Sequence, residues 1–306
     1  METILFRYCC KVYLSNIRCK FILKIYIKLS VILHSKGRTL AITQPVVMGI
    51  LNATPDSFYS RGHGSDEKAL LGTVEKMLKD GASILDIGGA STRPGQDMVT
   101  ADRELERVMP VIEAIHQRFQ EVWLSVDTYN SKVAKEAVNA GVAIVNDVSG
   151  GRFDSSMLQT VGALKVPYIA MHMQGTPKTM QEDPQYNNVV TEVYGYLHGL
   201  CEQCREAGIK EVVIDPGFGF GKTVAHNFGL LSHLGEFKTL GKPILAGLSR
   251  KSMICKVLKV NPPYALNGTT ALNMVALQQG ANILRVHDVQ EAMETIKLYT
   301  ALTEHR

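Results

Sequence analysis

The chain has 306 residues, 45% of them hydrophobic and 20% charged, with a formal net charge of +4. That composition supplies one large core and excludes a globally disordered chain. The positive balance is local: Arg7, Lys11, Arg18, Lys20, Lys24 and Lys28 face only Glu2 within residues 1–33, and the near-neutral remainder gives no support for nucleic-acid binding.

Residues 1–35 read as an N-terminal extension, rich in Ile, Leu, Lys, Tyr and Cys and lacking Gly and Pro. The apolar stretch from Phe21 to Leu33 is broken by Lys24 and Lys28, so it is too short and too charged to span a membrane. No small-residue cleavage site follows it, which argues against a secretory signal. An upstream stretch included by an early start, a basic amphipathic surface segment and a targeting presequence all stay open. A cut before Ser35 is expected to leave catalysis intact. The six cysteines form no disulfide framework, which favours a reducing, cytoplasmic compartment. Cys201 and Cys204 have redox or metal spacing, but they fall inside a predicted helix with no second pair nearby and read as ordinary helix residues.

From Gln44 onward, short apolar runs alternate with segments of helical periodicity. VVMGIL stops at Asn52, and a long polar loop leads to a helix over 66–80, stopped by Gly81. SILDI, over 83–87, carries Asp86 and stops at Gly88-Gly89, and a second long loop precedes a helix over 101–119. VWLSV stops at Asp127, before a helix over 130–140, and VAIV stops at Asn146-Asp147. PYIAM stops at His172, before a helix over 188–207, and EVVI stops at Asp215. PILAGL stops at Ser249-Arg250-Lys251, ANIL stops at Arg285 and His287, and a last helix starts near Val289. Strand then helix, repeated eight times, predicts a single-domain α/β (β/α)8 TIM barrel over 36–306, with its active site where the strands end. The two long loops have the position of lids.

The segment Gly217-Phe-Gly-Phe-Gly-Lys-Thr223 resembles a nucleotide loop but fails on spacing. A P-loop needs Gly where Pro216 stands, and Gly-x-Gly-x-Gly is not a dinucleotide fingerprint. It fits a backbone that approaches a flat ligand, with Phe218 or Phe220 as a wall, or else a plain tight turn. Asp127, Asn146 and Asp215 form a hydrogen-bonding array suited to a 2-amino-4-oxo-pyrimidine ring, since carboxylates accept paired N–H groups and an amide both donates and accepts. Alternatively, each caps the helix that follows. Arg93, Lys251, Arg285 and His287 supply cations at or just beyond strand ends, fit for a phosphate group, and Arg also stacks on flat rings. His172 is either a pocket residue or a structural one. Asn52 offers one oxygen for Mg2+, which takes its remaining oxygens from water and a substrate phosphate.

Met48-Gly-Ile-Leu-Asn-Ala-Thr-Pro-Asp-Ser-Phe58, Asp86-Ile-Gly-Gly-Ala-Ser-Thr-Arg-Pro-Gly95, Ser125-Val-Asp-Thr128, Asn146-Asp-Val-Ser-Gly150, Asp215-Pro-Gly-Phe-Gly-Phe220, Ser249-Arg-Lys251 and Arg285-Val-His287 resemble, in order, the signature segments of the dihydropteroate synthase family. The resemblance covers about residues 36–306. It implies a transferase of folate biosynthesis that joins 6-hydroxymethyl-7,8-dihydropterin diphosphate to 4-aminobenzoate, releasing diphosphate and 7,8-dihydropteroate. It further implies a pterin site of Asp127, Asn146, Met171, Asp215, Lys251 and Arg285, and a diphosphate site of Asn52, Arg285 and His287 with Mg2+ on Asn52. The aminobenzoate site, a sulfonamide target, would hold Phe58, Thr92, Arg93, Pro94, Phe220 and Ser249. Asp127, Lys251 and Arg93 would carry the chemistry, in a homodimer. Two positions depart from the family pattern: Ser60 stands where an acid is frequent, and Ala90 where Glu is frequent. A methyltetrahydrofolate methyltransferase-type barrel would share the pterin acids but should lack the lid motifs and Ser-Arg-Lys. A non-catalytic pterin-binding barrel would not need Asn52, Arg93, Lys251, Arg285 and His287 together.

Overall fold

The computed structural model describes residues 31–53, 64–90, 95 and 97–305. A hairpin comes first, β1 (Val31–Ser35) and β2 (Arg38–Ile42). Lys36 and Gly37, at φ 49° and 77°, form a turn with both central residues left-handed, the geometry that matches the twist of paired strands. Then strand and helix alternate: β3 (Val46–Asn52), α1 (Gly64–Lys79), β4 (Ile84–Gly88), α2 (Ala101–Arg118), β5 (Trp123–Asp127), α3 (Ser131–Asn139), β6 (Ile144–Asp147), α4 (Met157–Leu164) and β7 (Tyr168–Met171). They continue as α5 (Val189–Glu206), β8 (Val212–Asp215), α6 (Val224–Ser232), a 3-10 turn (Leu234–Leu240), β9 (Leu245–Ala246), α7 (Ser252–Leu258), α8 (Leu266–Gln279), β10 (Ile283–Val286) and α9 (Val289–Glu304). Among the described residues, no helix is long and apolar enough to cross a membrane.

The eight strands β3 to β10 form one parallel sheet in the order β8-β7-β6-β5-β4-β3-β10-β9. A parallel bridge between Ile214 and Ile244 joins the two ends, and the Ile214 N–H donates to the Pro243 carbonyl at 2.9 Å. The sheet is thereby closed into the expected (β/α)8 barrel. The expected helices appear within a residue or two of their predicted ends, because glycine stops them: Gly81 has φ 107°, and a side chain at Gly141 (φ 115°) would strike the His116 ring at 2.7 Å. The run PILAGL yields only the two-residue β9. Beyond it Arg250 turns left-handed at φ 56°, and its N–H goes to Thr269 Oγ1 at 3.0 Å.

Side chains alternate across a strand, so every second residue points into the barrel. Outward residues such as Val47, Leu85, Leu124, Val145, Ala170, Ile214 and Leu284 join the layer between strands and helices. The lowest inward residues, Met48, Ile84, Trp123, Ile144, Ile169, Val213, Leu245 and Ile283, form a separate apolar floor. Leu33 and Ile42 of the hairpin belong to that floor and are 2% and 3% exposed. The hairpin is also tied to the barrel's underside. His34 donates its N–H to Glu211 at 2.8 Å and pairs with it through Nδ1 at 2.6 Å, and Arg38 donates to Val122 O at 3.2 Å while its guanidinium lies over Trp123. Lys36 Nζ donates to Val138 O.

The folded body thus reaches back to Val31, ahead of the boundary drawn at residue 36, and a cut before Ser35 would remove β1 and uncover the floor. Sequence missed this because the turn signal Lys36-Gly37 lies just past the basic extension. Leu33→Ala is expected to cost about 2–4 kcal/mol of unfolding free energy, read by urea titration. An unchanged midpoint would detach the hairpin from the core.

Candidate active site

The next inward position above the floor changes character. On β4, β6, β8 and β10 it is Asp86, Asn146, Asp215 and Arg285, and on β7 it is Met171. One step further stand Asn52, Asp127, Ser249 and His287. The polar residues expected at the strand ends therefore meet at one mouth.

Arg285 organises it. Its Nε donates to Asp86 Oδ2 at 2.6 Å and its Nη2 to Asp127 Oδ2 at 2.7 Å. The same Asp86 oxygen accepts from Asn146 Nδ2 at 2.9 Å. Burial works against the guanidinium's charge, but Asp86 and Asp127 outweigh it and hold its pKa above the usual value. Burial pushes the Asp127 carboxyl up to about 7, with Arg285 opposing and Asp86, Glu104 and Asp147 reinforcing. Asp215 is raised by burial against the pull of Lys251, and its Oδ1 accepts the Gly217 N–H at 2.7 Å. Burial draws Lys251 down to about 8, with Asp215 opposing. Lys251 reaches the mouth beside Gly219 and Gly247, donates from Nζ to Phe218 O and stands 4.7 Å from the Phe220 ring centre. Neither Asp127 nor Asn146 caps a helix: the caps of α3 and α4 are Asn130 and Ser156.

The glycine loop after β8 is built for close approach. A side chain at Gly217 (φ 72°) would meet His172 O at 1.9 Å, and one at Gly221 would meet Gln174 O at 2.4 Å. Beneath it lies Lys222, fully buried. Its Nζ is 2.9 Å from His172 Nδ1 and donates to Gly217 O at 2.9 Å and Phe220 O at 3.0 Å. Burial lowers the Lys222 pKa, yet these three acceptors, with His172 O farther off at 3.4 Å, surround the three N–H bonds of an ammonium. His172, drawn down to about 2 by burial and then by Lys222 and Arg152, is a neutral acceptor in this cluster. That assigns it the structural role. Phe218 is fully buried, so Phe220, half-buried, is the wall of the mouth. With Met171, Tyr129, Val148, Met173 and Met180 it belongs to an apolar patch that also touches Ala90.

Ser249 Oγ lies 3.0 Å from His287 Nδ1 and accepts the His287 N–H at 3.2 Å. Arg250 grips Asp288 with Nε at 2.9 Å and Nη2 at 2.5 Å, tying the loops after β9 and β10 together. Asn52, the last residue of β3, is exposed at the same mouth. Phe58, Ser60, Thr92, Arg93 and Pro94 lie outside the described residues. Among the described residues, no group of three or more His, Cys, Asp or Glu could hold a metal. Cys201 and Cys204 sit in α5, with Cys204 in the core and its thiol pushed to about 12 by burial. A cavity of about 720 Å³ opens elsewhere, between α5, the start of β8 and the 3-10 turn, at the strands' N-terminal side and away from this chemistry.

Residues 48–287 match the family model described as pterin binding enzyme. The dihydropteroate synthase of Escherichia coli K12 is 44% identical over 274 residues, 88% of this chain and 95% of that one. That of Haemophilus influenzae is 45% identical over 271 residues, 88% and 98% of the two chains. The chain belongs to the dihydropteroate synthase family. Solved dihydropteroate synthases share its fold. The Yersinia pestis protein in complex with a sulfonamide drug superposes with a TM-score of 0.84 at 42% identity, covering 90% of this chain and all of that one. The Xanthomonas albilineans protein with 4-aminobenzoic acid superposes at 0.83 and 40% identity, covering 90% and 98%. As a dihydropteroate synthase family member the chain is a transferase.

Two residues of this family member's mouth carry no site role in the sequence analysis. Asp86 was visible as a lone charge inside an apolar strand, a position that must face a polar interior. Lys222 was visible only as part of a rejected nucleotide motif. Lys222→Met should take the Lys222 donor from Phe220 O, leave Gly217 O with the Phe220 N–H alone and cost about 2–3 kcal/mol of stability, measured by urea titration. A loss below about 1 kcal/mol would show the loop held by other contacts.

Proposed function

We propose that the mouth of this barrel joins 6-hydroxymethyl-7,8-dihydropterin diphosphate to 4-aminobenzoate through bond breaking at the pterin methylene before the amine attacks. Arg285 bridging Asp86 and Asp127, beside Asn146 and Asp215, carries this proposal. Acceptors at the foot of the mouth suit a ring rich in N–H groups, and the cations suit its departing tail. Asp127, Asn146 and Asp215 take the ring N–H donors, Lys251 donates to the ring's acceptors, Met171 packs on the ring and Arg285 lies against its face. Asn52, Arg285 and His287 receive the diphosphate. Phe58, Thr92, Arg93, Pro94, Phe220 and Ser249 receive the aminobenzoate, with Arg93 available to its carboxylate.

Mg2+ fits these residues. Asn52, an exposed residue at the mouth, carries one amide oxygen, and an ion that keeps its waters and takes substrate phosphate oxygens needs little more from protein. When bound, it supplies positive charge to the diphosphate. The chain's own residues do the rest. As the C–O bond breaks, Arg285 and His287 stabilise the leaving diphosphate and the Asp127 carboxylate stabilises the positive charge left on the pterin. The apolar patch around Phe220 and Met171 keeps water from trapping that cation. The aromatic amine then forms the C–N bond, and its proton leaves with the diphosphate or to solvent.

We place the enzyme in the cytoplasm and as a homodimer. Exposed Val257, Leu258, Tyr264, Leu298 and Leu302 on the last part of the chain supply apolar surface for a second copy. Sedimentation at micromolar concentration should give a dimer; a monomer throughout would sink that assignment.

Diphosphate release on mixing both substrates with Mg2+ is the deciding assay. No diphosphate release from the two substrates, whether or not the protein transfers a methyl group from methyltetrahydrofolate, would overturn the activity. The pH profile of kcat/KM should be bell-shaped. Below about 7 Asp127 gains a proton and stops stabilising the cation, and above about 8 Lys251 loses one and stops donating. A flat profile from pH 6 to about 9 would remove both from the rate.

A further inference from the structure

Asp86 is absent from the set of ligand-facing residues above, yet among the described residues it accepts more hydrogen bonds than the other inward-facing acids, Asp127 and Asp215. It is fully buried in β4, and a single oxygen, Oδ2, accepts from both Asn146 Nδ2 at 2.9 Å and Arg285 Nε at 2.6 Å. Its other oxygen, Oδ1, has no hydrogen-bond partner among the described residues, and neither has Ser125 Oγ at the paired position on β5. A buried carboxylate with one idle oxygen is a poor device for stability alone, since desolvating it is costly. The two groups it does hold are the two that must be oriented.

We propose that Asp86 is a positioning residue for the reaction, resting on the function proposed above: it fixes which way the Asn146 amide faces and shares Arg285 with Asp127. The first effect is directional. An amide can turn over, and its oxygen and nitrogen then exchange places. A carboxylate on one side accepts only, so it selects the nitrogen and leaves the Asn146 oxygen turned toward the ligand, where it accepts a ring N–H. The second effect is electrostatic. Arg285 spends one N–H on Asp86, so Asp127 receives one charged bond rather than two. Several charged groups bear on Asp127: Arg285 opposes its upward shift, Asp86, Glu104 and Asp147 reinforce it, and Lys251 interacts with it from the loop after β9. Removing the Asp86 charge therefore favours the ionised Asp127.

Asp86→Asn keeps the shape and removes the charge. Its side-chain N–H can bond the Asn146 oxygen, so the Asn146 amide is free to turn. Pterin affinity, read by calorimetry with 6-hydroxymethylpterin, should fall about tenfold, the worth of one misdirected hydrogen bond. The KM for 4-aminobenzoate should hold. The acid limb of kcat/KM should move down by roughly one pH unit, a change that loose packing would not produce. In an Asn146→Ala background the same substitution should cost pterin affinity little, because the amide it orients is gone. Cooperative unfolding of each variant confirms the fold. Wild-type affinity with an unmoved acid limb would overturn the proposal, and so would an equal affinity loss in both backgrounds. The calorimetric arm needs no turnover. Failure of wild-type diphosphate release would therefore strike the activity, while the binding cycle would still decide whether Asp86 orients Asn146.

Discussion

The guanidinium of Arg285, held between Asp86 and Asp127, is the interaction on which the mouth depends. Two carboxylates on adjacent strands, both buried, would repel and protonate without it. With it, they stay close enough to face one ligand. The cation in turn stands on β10, which pairs with β3, and reaches across to acids on β4 and β5, so one side chain ties the last strand of the chain to two early ones. Arg is suited to this place because its planar fork aims Nε and Nη2 at two separate carboxylates in a fixed geometry.

Strand parity decides which residues reach that mouth. Asn146 and Asp147 are neighbours in β6 but have opposite fates. Asn146 points inward to Asp86, while Asp147 points outward and is consumed by Ser149 N and Oγ, Gly151 N and the Tyr168 hydroxyl. The same alternation separates the apolar floor from the polar level above it. Lys222 and Lys251 show a second division of labour. One ammonium is closed in by loop carbonyls and holds the glycine loop in shape, and the other borrows a single carbonyl and faces the mouth.

Much of this was written plainly in the chain. The barrel follows from eight apolar runs with helical periods between them, and Asp127, Asn146, Asp215, Lys251, Arg285 and His287 were found by asking where those runs stop. Asp86 lies inside its run rather than at its end, so only strand parity reveals that it faces the mouth. The Arg285 bridges were also illegible, since nothing in linear order says which acid an arginine will choose when several converge. His172 stayed undecided until its partner, fifty positions away, appeared beneath the glycine loop. The hairpin was lost in the basic extension because its two strands show little alternation of their own and gain their meaning only from the floor they cover.

That hairpin has a consequence for traffic. The inward side chains from Met48 to Ile283 fill the barrel's foot and Leu33 and Ile42 back them from below, so the barrel is a blind well rather than a tunnel. A tunnel could admit one reactant from each end. A well has one rim, so whatever occupies its foot goes in first and comes out last, and the sequence of arrivals and departures is set by depth alone.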